Sequence, residues 1–105
     1  SKPIIPVEIK IVSIIRKIEK QGAASLHELL HEEATLPDMI ASFLGVLELI
    51  KVRKLLVSDN SDGEWDKENA LLGANTRFVL NTNEDDIEES EYLPSDENIQ
   101  ESFDI

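Results

Sequence analysis

The sequence predicts a mainly α fold closed by a small antiparallel hairpin. Three observations lead there. Apolar residues recur at three- and four-residue spacing through three successive stretches up to about residue 53, two short aliphatic runs follow, and turn formers lie between those runs. A chain of 105 residues holds one core.

Pro3 and Pro6 predict an extended segment over residues 1–6. From Val7 to Gln21, Val7, Ile11, Ile14, Ile15 and Ile18 form one face of a helix and charged residues take the other, with Gly22 placed for a left-handed C-terminal cap. Ser25 and Glu28 spell a capping box for a second helix, whose stripe is Leu26, Leu29 and Leu30 and which is expected to end near Glu33. The third helix is expected from Leu36 to about Arg53, with Pro37 in its first turn and Asp38 at the positive end of its dipole. Met39, Ile40, Phe43, Leu44, Val46, Leu47 and Ile50 fill an arc of about 160°, while Ala41, Gly45, Leu49 and Val52 lie opposite. A helix apolar on so many sides needs more cover than a small domain provides.

Leu55 to Ser58 reads as a strand, and Thr76 to Leu80 as its antiparallel partner. Between them, Asn60 to Gly63 supply turn formers, Trp65 is expected to anchor the loop, and residues 66–72 suit one or two helical turns. Helix, helix, helix, strand, wing, strand is the order of a winged helix, assigned here to residues 7–82.

Charge divides the chain. Residues 1–58 carry 8 Lys/Arg against 7 Asp/Glu, and residues 59–105 carry 2 against 15, for a net charge of -12. Residues 83–105 hold 10 acids and no Lys or Arg, which predicts a disordered acidic tail. Such a balance opposes nonspecific contact with nucleic acid or anionic lipid. No cysteine is present, which excludes disulfides and thiol chemistry and suits a reduced, cytoplasmic setting. No run is long enough to span a bilayer, no signal-peptide pattern opens the chain, and its first residue is Ser, as expected of a fragment.

His27, Glu28 and His31 match H-E-x-x-H, the helical zinc-binding spacing of metalloproteases, and Glu48 is the one candidate for a third ligand on the next helix. Glu28 is already explained by the capping box and the helix is short, so the histidines read as a solvent-facing pair. Ser58 to Asn69 fits a calcium loop badly, because both of its end positions lack carboxylates. No phosphate-cradling loop or nucleophile elbow occurs. These patterns predict no enzyme, no cofactor and no metal. A DNA reader would present Arg, Lys, Asn or Gln on its third helix and cations on its wing. Here the third helix offers Asp38, Ser42, Glu48 and Lys51, and Asp59 to Asn75 holds five acids against Lys67. Lys51, Arg53 and Lys54 read as cations complementing a helix C-terminus. A protein partner is favoured, with a DNA-binding winged-helix regulator as the alternative.

The run Ile40-Ala-Ser-Phe-Leu-Gly-Val-Leu-Glu-Leu-Ile-Lys51 resembles the third helix of the C-terminal domain of kleisins, most closely the bacterial segregation and condensation type. Gly22-Ala-Ala-Ser-Leu-His-Glu-Leu-Leu30 and Lys54-Leu-Leu-Val57 look like the same family, so the resemblance covers about residues 5–82. It implies a module that docks on the ATPase head of a structural-maintenance-of-chromosomes (SMC) protein in chromosome condensation and segregation. The full-length protein would also hold a small dimeric winged-helix subunit and be nucleoid-associated. Docking residues carried over from the family fall on Phe43 and Leu47, and Ile40 and Ile50 extend that face. The long wing and the acidic tail depart from the family pattern.

Overall fold

A computed structural model describes residues 6–58 and 73–93. Trp65, the turn formers from Asn60 to Gly63, the expected helical turns over 66–72 and the tail beyond Leu93 lie outside them, as do the first five residues. The described chain forms α1 (Val7–Gln21), β1 (Ala24–Ser25), α2 (Leu26–His31), α3 (Leu36–Lys51), β2 (Leu55–Val57), β3 (Arg77–Leu80) and a 3-10 turn, Glu84–Asp86. Three helices thus pack with one small antiparallel sheet, whose strand order is β1-β3-β2.

The amphipathic pattern of α1 buries Ile11, Ile14, Ile15 and Ile18. Its end needs glycine for conformation rather than space: Gly22 adopts φ 86, a Cβ there would touch nothing within 4 Å, and its N–H donates to the Ile18 carbonyl at 2.7 Å. In α2 the capping box is complete. The Glu28 N–H donates to Ser25 Oγ at 3.0 Å, and the Ser25 N–H donates to Glu28 Oε1 at 3.3 Å. The helix ends at His31, short of Glu33, because the chain must turn there into the next cap. Thr35 forms that cap: its Oγ1 accepts from the Asp38 N–H at 3.2 Å and donates to Asp38 Oδ2 at 2.7 Å. Lys10 braces this turn from α1, with Nζ 2.6 Å from Glu33 Oε2 and 3.1 Å from Asp38 Oδ1. These contacts, Glu33 first, raise its pKa despite partial desolvation.

The face of α3 that enters the core is the small one. Ala41, Ser42, Gly45, Val46 and Leu49 are buried, and an added Cβ at Gly45 would stand 3.3 Å from both Ile11 Cγ1 and Ile14 Cδ1. Small side chains let α1 and α3 approach closely, which leaves much of the large-residue arc of α3 turned away from the core. Around this crossing pack Phe78, Ile18, Leu55 and Val52, each at most 2% exposed. Each such burial is worth about 1.5–3 kcal/mol.

Leu55 pairs with Leu80 and Val57 with Phe78, while the other edge of β3 pairs Ala24 with Phe78 and Ser25 with Arg77. The hairpin pairing of β2 and β3 was legible. The two-residue β1 was not, because Ala-Ser has no strand propensity and pairs only where β3 offers an edge.

The disordered tail expected from residue 83 is corrected over its first eleven residues. Residues 83–93 lie against the body. The Glu88 N–H donates to the Val52 carbonyl at 2.8 Å, Ser90 Oγ donates to Glu48 Oε2, and Leu93 packs onto the core. Arg53 explains the anchoring. It occupies the left-handed region at φ 66, where the Lys54 N–H reaches back to the Leu49 carbonyl at 2.9 Å and closes the end of α3. Asn81 clamps this turn, donating to the Arg53 carbonyl at 2.8 Å and to Asp86 Oδ2 at 2.9 Å. Both Asp86 oxygens accept from the Arg53 guanidinium at 3.0 Å.

Candidate docking surface

Around its axis α3 presents three strips. One is buried in the core. On its flank, Phe43 and Ile50 are half-buried and pack on the core cluster. The third strip faces solvent, with Leu36 66%, Ile40 51%, Leu44 48% and Leu47 37% exposed. Spacings of four, four and three residues place these side chains on one face. Of the sequence-predicted residues, Ile40 and Leu47 therefore share a surface, and Phe43 and Ile50 stand on the core-facing flank. Leu44 was missed as a site residue although its position in the apolar arc signalled it. Tyr92 had no such signal, being separated from the helix by more than forty residues of sequence.

The exposed strip forms the floor of an open groove beside the start of α1. One half, of about 270 Å³, is lined by Val7, Pro37, Ile40, Ala41 and Leu44. The other, of about 280 Å³, is lined by Val7, Leu44, Leu47, Glu48, Lys51 and Tyr92. Val7 and Leu44 belong to both halves, which therefore lie side by side along the helix.

Its two ends differ in charge. Near Ile40 the lining is apolar. At the other end Lys51 Nζ lies 3.6 Å from Glu48 Oε1, and the Tyr92 N–H donates to Ser90 Oγ at 3.0 Å. The Tyr92 phenol is pushed above its ordinary pKa, chiefly by the charge of Glu91 and its hydrogen bond, and further by Glu48 and Glu8. Glu48 of α3 lines this end, and Glu91 of the returning segment adjoins Tyr92 in sequence.

Elsewhere the chemistry is sparse. His27 and His31 are exposed and stack on each other, ring centroids 4.9 Å apart. Glu28 beside them accepts from Ser25 and lies 3.3 Å from Arg77 Nη1; the Ser25 N–H foremost holds its carboxyl below the ordinary value. Glu48 turns to Ser90 and Lys51. Among the described residues no three His, Cys, Asp or Glu side chains gather as metal ligands, and no helix is long and apolar enough to cross a membrane. In the basic cluster after α3, Arg53 is engaged by Asp86.

No protein-family model, curated protein or solved structure matches this chain. Its function is thus to be read from its own surface.

Proposed function

We propose that this chain is a non-enzymatic docking module, a winged helix whose third helix binds a partner protein through its exposed face. More particularly, we infer a kleisin C-terminal domain that docks on the ATPase head of an SMC protein, in the cytoplasm and at the nucleoid. What supports this is the solvent-facing ladder Ile40, Leu44 and Leu47, set in a groove and unsupported by any core role. An exposed apolar strip costs a free protein solubility and is kept where a partner covers it. The resemblance of Ile40 to Lys51 to the kleisin third helix names that partner. A DNA-binding regulator needs hydrogen-bond donors on the same face, where aliphatic side chains stand.

The test is titration of the full chain with SMC ATPase heads from the same source. Ile40→Asp and Leu44→Asp should fold normally by circular dichroism and lose tenfold to a hundredfold in affinity, about 1.4–2.7 kcal/mol, because each strands a charge in a desolvated contact. Phe43→Arg and Ile50→Arg should lose both binding and stability. Heads that ignore the wild-type chain, or bind the two aspartate variants equally well, refute the reading.

A further inference from the structure

The docking reading leaves the chemistry of the occupant open, and the groove constrains it. From Ile40 to Lys51 the floor runs about 16 Å, three turns of helix. Leu36, Ile40, Leu44 and Glu48 form one four-residue row on α3, and Leu47 and Lys51 belong to the next. Rows of this kind accept the ridges of another helix.

The charge of the rim supplies the polarity. Glu48 lines the floor, Glu8 and Glu91, both exposed, respectively follow Val7 and precede Tyr92 of the lining in sequence, and Glu84, Asp85, Glu88 and Glu89 add exposed acids along the returning segment. Against these, the one cation lining the groove among the described residues is Lys51, which lies beside Glu48. A cleft end walled by one sign of charge attracts the opposite sign and orients what arrives.

Resting on the docking assignment, we propose that the groove takes an amphipathic helix of a partner protein, with an aliphatic ridge along Ile40, Leu44 and Leu47 and lysine or arginine at the end lying over Tyr92. The chain's own end fits poorly. Residues 94–105 include Ile99 and Phe103 but carry Asp96, Glu97, Glu101 and Asp104 without a Lys or Arg, so the rim repels them. A second copy fits no better, since each copy has a net charge of -12 and would bring the same acids to the contact. Tyr92, which lines the groove, becomes a contact residue.

The probes are two labelled helical peptides of about 15 residues with one leucine ladder, flanked at one end by lysines or by glutamates. Titrated with the full chain and followed by fluorescence anisotropy, the lysine peptide should bind at least about tenfold tighter at low salt, with the gap closing as salt rises. Leu44→Asp should abolish its binding. Glu8→Gln with Glu91→Gln should erase the preference while leaving the apolar contribution. Equal affinity for both peptides, or binding that survives Leu44→Asp, overturns the proposal. So does an Ile99→Ser, Phe103→Ser variant that binds about tenfold tighter, since the chain's own end would then be the occupant. The SMC assignment fails separately: heads that do not bind while the lysine peptide does refute that assignment alone. Heads that bind but do not respond to Glu8→Lys with Glu91→Lys overturn the basic-helix proposal alone.

Discussion

Asn81 shows how much one polar side chain can organise. It is buried, yet its amide donates to the Arg53 carbonyl and to Asp86, and its Oδ1 accepts from the Asn83 N–H at 3.0 Å. The Arg53 carbonyl belongs to a left-handed turn with a Cβ in a region that glycine tolerates better, so the clamp holds a strained conformation in place. Asn81→Ala leaves that carbonyl and the Asn83 N–H without partners. The expected loss is about 1–3 kcal/mol, seen as a lower urea midpoint at unchanged slope. An unchanged midpoint would show that water replaces the side chain freely. Phe43 and Leu44 make the complementary point, since adjacent positions on one helix lie about 100° apart and go to different fates. Phe43 packs on the core and Leu44 faces the groove.

At the scale of elements, the helices are specified locally and the returning segment is not. Gly22, the Ser25–Glu28 box and the Thr35 cap mark helix boundaries by short-range hydrogen bonds, so they were legible in the sequence. Residues 83–93 look like a solvated acidic run, and their anchors, Arg53, Val52 and Glu48, lie thirty or more residues away. A chain ended after Thr82 loses the Glu88 to Val52 hydrogen bond, the Asp86 pairing and the burial of Leu93. It should melt well below a chain ended after Leu93, by about 4–8 °C for each kcal/mol removed. Coincident melting curves for the two lengths would mean that the segment rests on the body without stabilising it.

For the whole molecule, the pKa shifts define a plateau of stability. Glu28, Asp38 and Asp86 all lie below their ordinary values of 4.5, 3.8 and 3.8, held there first by the Ser25 N–H, the Thr35 hydroxyl and the Arg53 guanidinium. A lowered folded pKa means stability that is present above the ordinary value and is lost as pH falls through the folded one. Lys10 has the opposite sign: raised above 10.5, it contributes fully below that value and loses its contribution as pH rises beyond it. In salt of about 0.15 M, which screens repulsion among the exposed acids, the urea midpoint should be level at neutral pH and fall below about pH 4.5. A midpoint that keeps rising as pH falls through about 3 would show that relief of acidic repulsion outweighs these contacts.

The sequence by itself determined the three helices, the pairing of β2 with β3, the charge asymmetry and the surplus of apolar surface on α3, because periodicity, caps and composition act over a few residues. Tertiary structure decided which of that apolar surface is free. The close approach of α1 to Gly45 turns the small-residue face of α3 inward, so Ile40, Leu44 and Leu47 remain outside while Phe43 and Ile50 are half covered. It also decided the groove's far wall and its charge. Tyr92 and Glu91 reach α3 only because a left-handed turn at Arg53, an amide clamp at Asn81 and a hydroxyl at Ser90 bring a distant segment back, and contacts of that sequence separation leave no periodic signal in the residues that make them.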